Sequence, residues 1–159
     1  MARFSYVTVW RIEAPLHEVW PAIFHSECWP EWWKSVREVR EIERGDADGT
    51  GNARRYIWRG RLPYDIRFVM RTTRVQPMAL LEGVASGEVE GVGRWEFAEQ
   101  GAITVVRHAW NIRTATRVMS LLAPLARPLI NWNHDGVMRE GGEALGRLLG
   151  SRRVEVRHG

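Results

Sequence analysis

The side chains that could take part in chemistry are two histidines and an asparagine in the second half of the sequence. His108 lies between Val106 and Trp110 in an alternating run typical of a β-strand, at a position facing the apolar side of that strand. Asn133 and His134 follow on an amphipathic segment that predicts a helix. An imidazole has an unperturbed pKa of about 6.5, which suits a general acid or base acting on a carbonyl group. His108 and His134 are therefore candidate catalytic residues, with the alternative that each is a structural histidine bonded to backbone or water.

Other kinds of reactive site are not indicated. The histidines and the single cysteine, Cys28, show no His-x-x-x-His or Cys-x-x-Cys spacing, so the sequence predicts no metal site. Cys28 stands among tryptophans, where a buried inert thiol is expected rather than an activated nucleophile. The glycines of "GVASGEVEGVG" lack the Gly-Lys-Ser/Thr ending of a phosphate-binding loop and are explained as hairpin turns or bulges. We expect no cofactor.

Hydrophobic periodicity predicts the elements that would position these side chains. An alternating run from Phe4 to Ile12 predicts a first strand, and Pro15 and Pro30 each begin a short helical stretch. Six further alternating runs follow, separated by stretches rich in turn residues. They extend over Val36 to Glu43, Ala53 to Trp58, Tyr64 to Val75, Leu80 to Ser86, Gly93 to Ala98 and Ile103 to Ile112.

A long C-terminal helix is predicted from apolar residues at near-helical spacing after Arg117. Pro124 and Pro128 should break or kink its front portion, which would leave a regular helix from about Pro128. Because a sheet with one apolar face needs a cover, this helix should lie in the concave face of the sheet. The sequence thus predicts one α+β domain over residues 1–159 with a core at about 4–150. In it a seven-stranded curved antiparallel sheet wraps around the C-terminal helix, two short helices follow the first strand, and residues 151–159 form a frayed tail.

The space between a bent sheet and one covering helix is a natural ligand cavity. Side chains alternate across a strand, so the parity of each predicted strand indicates which residues face that space. The opposite faces carry arginines alternating with acids, which is typical of a solvated sheet surface. The predicted cavity walls are Trp10, Tyr56, Trp58, Ile66, Phe68, Met70, Trp95, Phe97, Trp110, Asn133 and Val137.

Charge and the N-terminal sequence argue against several classes of protein. The chain has 23 Lys and Arg residues against 19 Asp and Glu, a formal net charge of +4, and Lys34 is its one lysine. The arginines are scattered among acids rather than clustered, so we predict no nucleic-acid partner. The first residues alternate polar and apolar side chains, which indicates neither a signal peptide nor a membrane span. Cytoplasmic residence without stable membrane insertion is expected, in agreement with a single cysteine. The oligomeric state is left open.

Three stretches carry a resemblance to a known family: "RIEAPLHEVWPAIF", "LLEGVASGEVEGVGRWEF" and "INWNHDGVMREGGEALGRLL". In this order they resemble the START-related helix-grip superfamily, also called SRPBCC, and within it the polyketide cyclase/dehydrase and lipid-transfer-like branch. The resemblance covers about residues 4–150. It implies a helix-grip fold with a deep hydrophobic cavity that binds a lipid, sterol, polyketide or similar apolar molecule. Because this superfamily contains carriers, receptors, cyclases and aromatases, the resemblance does not imply one activity.

Three functions remain open. The first is binding of a hydrophobic small molecule, such as a lipid, a polyketide or a similar aromatic compound, in the cavity. The alternative is an enzyme of the polyketide cyclase or aromatase type, in which His108 or His134 acts as acid or base. A second alternative is a protein-interaction module that uses the basic face or the tryptophans of the short helices. Those tryptophans form either a packed wedge or a gate: Trp20, Trp29, Trp32 and Trp33.

Overall fold

A computed structural model describes residues 2–114, 117–151 and 153–159, with the backbone alone at 117–120 and 122. The main element of this part of the chain is an antiparallel sheet of eight strands. The strands are β1 (Arg3–Ile12), β2 (Val36–Glu43), β3 (Ala53–Trp58), β4 (Ile66–Gln76), β5 (Leu80–Gly87), β6 (Val89–Gln100), β7 (Ile103–Thr114) and β8 (Val154–His158). After β1 come α1 (Leu16–Phe24), a 3₁₀ turn (Ser26–Cys28) and α2 (Trp29–Trp32), and after β7 comes α3 (Arg117–Leu148). The strand order is β2-β3-β4-β5-β6-β7-β1-β8.

The predicted α+β class with a helix-grip arrangement is confirmed, because the sheet is curved, open and antiparallel and is followed by a long C-terminal helix. Most strands begin and end within two residues of their predicted bounds. β6 is an exception, since it begins at Val89 rather than at Gly93. Gly91 lies inside this strand with a φ of 152°, where its backbone passes so close to Asn111 that no side chain would fit.

The C-terminal residues form a strand, so the predicted frayed tail at 151–159 is wrong and the sheet has eight strands rather than seven. β8 pairs with β1 from Ile12↔Val154 to Thr8↔His158. Without this pairing β1 would present an unpaired edge beside the helix. The alternation of Val154 and Val156 with charged residues was the signal for this strand in the sequence.

Helix α3 begins at Arg117 and continues through Pro124 and Pro128, so its predicted start near Pro128 is wrong. A proline removes one backbone hydrogen bond from a helix, but burial of an apolar face can outweigh that loss. Ala123 on this segment is buried, which ties the front portion of the helix to the core. No helix within the described ranges is both long and apolar enough to cross a membrane.

Two indole N–H groups attach α3 to the rest of the fold. Trp10 Nε1, on β1, donates a hydrogen bond of 3.0 Å to the carbonyl of Met138. Trp33 Nε1, at the end of α2, donates one of 3.0 Å to the carbonyl of Val137. Both rings are almost completely buried. These consecutive carbonyls therefore fix the height of α3 above the sheet.

Glycines on the helix make room for these rings. The carbonyls of residues 137 and 138 also accept the helical N–H groups of Gly141 and Gly142, four residues later. A Cβ at Gly142 would lie 2.9 Å from Trp10 Nε1, and a Cβ at Gly141 would overlap the indole of Trp33. The groups that approach the helix backbone at Gly141 and Gly142 are therefore indole rings.

Replacement of Gly141 by alanine tests this packing. In an unconstrained helix, Gly→Ala would increase stability by about 1 kcal/mol. Here the added methyl group overlaps Trp33, so we expect Gly141→Ala to lower the free energy of unfolding by about 1–3 kcal/mol, as in other overpacked cores. Urea unfolding followed by circular dichroism measures the change.

Glu143→Ala, at an exposed position two residues away, is the control and should change the free energy of unfolding by less than about 0.5 kcal/mol. The cost of Gly141→Ala should also be smaller in a Trp33→Phe background, because the smaller ring leaves space for the methyl group. A Gly141→Ala protein as stable as the parent would show that the Trp33 contact does not position the helix.

Candidate ligand cavity between the sheet and helix α3

A cavity of about 200 Å³ lies between strands β3 to β7 and the inward face of α3. Its lining is mainly apolar and includes ten aromatic side chains, which come from β1, α1, the α2 region, four further strands of the sheet and the β3–β4 loop. Ile130, Asn133, His134, Val137 and Met138 of α3 form the opposite wall. The ten aromatic residues of the lining are Tyr6, Phe24, Trp29, Trp33, Tyr56, Trp58, Tyr64, Phe68, Trp95 and Trp110.

Most of the predicted wall residues lie in this lining. They are Tyr56, Trp58, Ile66, Phe68, Met70, Trp95, Trp110, Asn133 and Val137, together with His108 and His134. Trp10 and Phe97 lie elsewhere. The Trp10 ring packs under α3 against Trp33 and Trp95, at centroid distances of 5.5 and 5.4 Å, and Phe97 packs on Trp20 of α1 at 4.9 Å. Strand parity predicts that a side chain lies on the concave face of the sheet. It does not predict whether other side chains pack over that side chain or leave it exposed to the cavity.

His108 is enclosed between rings. It pairs across the sheet with Trp95, and the two ring centroids are 4.2 Å apart. Trp110, two residues along β7, lies on the other side at 6.2 Å. The Nδ1 atom of His108 is buried and has no hydrogen-bond partner in the described part of the chain. Burial, and secondarily the positive charge that His134 would carry, lower the pKa of His108 to about 3.

His134 reaches the cavity from the helix. Its ring stacks on Tyr6 at a centroid distance of 3.9 Å, and the Tyr6 hydroxyl donates to Asn131 Oδ1 at 2.7 Å. Nδ1 of His134 lies 3.7 Å from Asp135 Oδ1, too far for a hydrogen bond, and both ring nitrogens are buried without a partner among the described residues. Burial lowers the pKa of His134 to about 4, and the carboxylate of Asp135 opposes part of this shift.

Both imidazoles are therefore neutral near pH 7. The unperturbed pKa assumed from the sequence does not apply at either position, because burial of the two rings disfavours the charged form. A neutral imidazole offers one N–H donor and one nitrogen acceptor. Two such groups can orient a carbonyl or hydroxyl of a bound molecule, but they are weak proton acceptors.

Asn133 organises the rim of the cavity. Its Oδ1 accepts a hydrogen bond of 3.0 Å from the backbone N–H of Leu62, in the loop between β3 and β4. The same side chain lies over Gly60, where it occupies the position that a Cβ would take. Asn133 therefore holds this loop against α3 through its carbonyl oxygen.

A polar network on the cavity wall was missed from the sequence. The Ser26 and Tyr56 hydroxyl oxygens are 2.6 Å apart, and Arg54 Nη1 donates to Ser26 Oγ at 2.7 Å. Arg54 Nη2 also pairs with Glu27 Oε2 at 2.9 Å. Burial raises the pKa of Tyr56, so its phenol stays protonated. Arg54 shares strand parity with Tyr56 and Trp58, and that parity could have placed it in the lining.

The remaining reactive candidates do not form a site. Cys28 is exposed, not buried as expected, and partial desolvation and the carboxylates of Glu31 and Glu27 raise the pKa of its thiol. This shift disfavours the nucleophilic thiolate. Among the described residues, no three His, Cys, Asp or Glu side chains are grouped so that they could hold a metal ion.

Comparison with solved structures places this architecture among known proteins. No family model and no curated protein matches the chain. Zhui aromatase/cyclase from Streptomyces sp. R1128 matches with a TM-score of 0.74 at 14% identity, over 94% of each chain. TTHA0849 from Thermus thermophilus matches at 0.73 and 16% identity, over 91% of this chain and 99% of the other. A START superfamily protein from Mycobacterium smegmatis matches at 0.71 and 11% identity, over 93% and 97%.

The chain has the same helix-grip fold as these aromatase/cyclase and START superfamily structures. At these identities the likeness concerns the fold alone. The sequence resemblance and the structural matches agree on this START-like architecture.

The buried histidines of this START-like fold make its stability sensitive to acid. Their pKa values of about 3 and about 4 lie below that of an imidazole in the unfolded chain, about 6.5. Between about pH 6.5 and 4 the unfolded state binds protons that the folded state does not, so the free energy of unfolding falls as the pH drops. Above pH 6.5 the contribution is fully present. Each histidine should add a slope of about 1.4 kcal/mol per pH unit in this window.

Urea unfolding between about pH 4.5 and 7 measures that slope. His108→Gln should reduce it relative to the parent, because glutamine does not titrate. His17→Gln changes an exposed histidine of α1 and is the matched control. If the slope is the same in His108→Gln and in the parent, His108 does not have the strongly lowered pKa.

Proposed function

We propose that the protein binds a hydrophobic small molecule in the cavity between the sheet and α3. The observation that carries this proposal is a cavity of about 200 Å³ whose lining is mainly apolar and includes ten aromatic rings. An apolar cavity of about 150 Å³ is large enough to hold benzene. Pockets for drug-sized molecules are larger, about 300–1,000 Å³. The cavity as it stands therefore suits a compound of one or two rings, and a longer lipid or polyketide requires it to widen.

The polar atoms of the lining refine the ligand class. The Nε1 atom of Trp58, like nitrogens of His108 and His134, is buried without a hydrogen-bond partner in the described ranges. Burial of an unpaired polar group costs about 1–3 kcal/mol, which a ligand oxygen could offset. These groups favour an aromatic ligand with hydroxyl or carbonyl substituents, such as a polyketide-derived ring, over a plain hydrocarbon.

We further propose that the protein acts in the cytoplasm without nucleic acid. Many arginines on the outer face of the sheet are paired with acids, for example Arg94 with Glu82 at 3.2 Å and Arg113 with Glu90 at 2.9 Å. Such pairs reduce the positive charge that is free to bind phosphates. The free thiol of Cys28 fits a reducing compartment.

A cavity-filling substitution tests ligand binding. N-phenyl-1-naphthylamine is an apolar aromatic probe whose fluorescence rises when it leaves water. Ile66→Trp adds a large ring to the lining, and we expect it to weaken probe binding at least ten-fold. Val69→Trp adds the same ring on the opposite face of β4 and should leave affinity within about three-fold of the parent. Equal affinities in the two variants would place the probe outside the cavity.

Native mass spectrometry of protein purified from its own host complements the probe. A co-purifying aromatic compound with oxygen substituents is the expected result. A cavity that retains no compound and does not bind the naphthylamine probe would contradict the proposed function.

An enzyme of the polyketide cyclase or aromatase type is the second candidate. It is favoured by the unpaired nitrogens of His108 and His134, which face the same cavity from opposite walls. Neutral imidazole N–H groups could polarise a ketone during an aldol-type ring closure, with loss of water in the following step. Their low pKa values argue against either histidine as a strong base at pH 7, and this is why binding ranks first.

Histidine variants distinguish the two candidates. With a short poly-β-ketone thioester as substrate, His108→Gln and His134→Gln should each lower kcat/KM by about 100-fold or more if the imidazoles act on the reacting carbonyl. Binding of the naphthylamine probe should change by less than about three-fold. Ring closure that survives both substitutions would eliminate the histidine mechanism, whereas absence of turnover in the parent would leave the binding function alone.

A further inference from the structure

The outward face of α3 changes character halfway along the helix. Leu121, Leu125, Leu129 and Trp132 are 78%, 86%, 54% and 48% exposed, and their spacing of four, four and three residues places them on one stripe. We call these four residues the leucine face. In the second half of the helix, the exposed positions Arg139, Glu143 and Arg147 carry charges, as a solvated helix surface does, and Leu148, the last residue, is the one exposed apolar side chain described there. The leucine face is therefore the part of α3 whose exposure to water is unfavourable.

Positive charge without acidic partners borders the leucine face. The sequence from residue 117 to 134 contains two arginines and no acidic residue. The guanidinium of Arg127 lies over the Phe4 ring at 4.3 Å, and that of Arg61 lies over the Trp132 ring at 4.7 Å. Within the described ranges neither forms an ion pair with a carboxylate, in contrast to the arginines of the outer sheet face such as Arg94.

We propose that the leucine face docks on the surface of an anionic lipid bilayer. Leucines on one side of a helix can enter the boundary between headgroups and acyl chains, and tryptophan is enriched at that depth. Arg61 and Arg127 are placed to pair with lipid phosphates, since guanidinium groups bind phosphate in a planar, bidentate manner. The proposed contact is peripheral, because the opposite side of α3 is attached to the fold by the hydrogen bonds from Trp10 and Trp33.

The size of the leucine face favours a lipid surface over a second copy of the chain. A stable protein interface uses roughly 20–30 residues on each side. The leucine face has four, and the helix surface that continues it carries the charged residues Arg139 and Glu143. A fluid bilayer needs no such complementary surface, because each inserted side chain gains from its own transfer out of water.

Vesicle sedimentation of the full chain tests this docking. We expect at least ten-fold stronger partitioning to vesicles of phosphatidylcholine with phosphatidylglycerol than to phosphatidylcholine alone. Raising the salt concentration from about 50 to about 300 mM should weaken that binding, because it screens the arginine–phosphate attraction. Equal binding to both kinds of vesicle, or binding to neither, would overturn the proposal.

Matched variants locate the contact. Leu121→Gln/Leu125→Gln changes the two most exposed residues of the leucine face and should weaken vesicle binding at least ten-fold. Val84→Gln/Val92→Gln makes the same kind of change at exposed positions of the sheet and should leave vesicle binding unchanged. Arg61→Gln/Arg127→Gln should remove the preference for anionic lipid. Circular dichroism and binding of the naphthylamine probe confirm that each variant is folded. If ultracentrifugation shows a dimer that Leu121→Gln/Leu125→Gln dissociates, and vesicles do not bind, the occupant is a second copy and the proposal is wrong.

Discussion

The hydrogen bonds from Trp10 and Trp33 to consecutive carbonyls of α3 determine how the two layers of the molecule meet. A helical carbonyl has a second lone pair, but a side chain four residues later normally shields it. Gly141 and Gly142 have no side chain to cover these carbonyls, so the indoles of Trp33 and Trp10 approach the helix backbone directly. The geometry requires both the large ring and the absent side chain, so neither half of the contact tolerates substitution independently.

The cavity depends on these anchors because the same rings extend into its wall. Trp33 packs edge-on against Trp58 at 4.9 Å with an interplanar angle of 90°. Towards its beginning the helix is tied to β1 by the bond from Tyr6 to Asn131, and by one of 3.0 Å from Arg127 to the carbonyl of Arg3. The cavity wall on α3 lies between these two sets of contacts. Its volume is therefore set by the spacing of attachment points rather than by the lining residues alone.

Local alternation explains why much of this arrangement was predictable from the sequence. Side chains two apart on a strand share a face, so the parity of β7 alone placed His108 beside Trp110 on the concave side. Non-local effects explain the errors. Pairing of β8 depends on a free edge of β1, which the tail sequence does not reveal. Whether Trp10 packs in the core or lines the cavity depends on the distance between α3 and the sheet. The low pKa of His108 depends on burial by rings from two strands, β6 and β7.

The indole N–H groups separate the tryptophans that hold the fold from those available to a ligand. Trp10 and Trp33 donate to α3, and Trp29 donates to the carbonyl of Ala22 at 3.1 Å, so their polar atoms are satisfied within the protein. Trp58 is equally rich in aromatic contacts, yet its Nε1 is buried and unpaired. Since an unpaired buried donor is unfavourable by about 1–3 kcal/mol, a fold under selection for stability alone would pair it or replace the ring by Phe. This unpaired donor and the two neutral imidazoles line the same cavity, which supports the proposal that the cavity receives a molecule carrying its own hydrogen-bond acceptors.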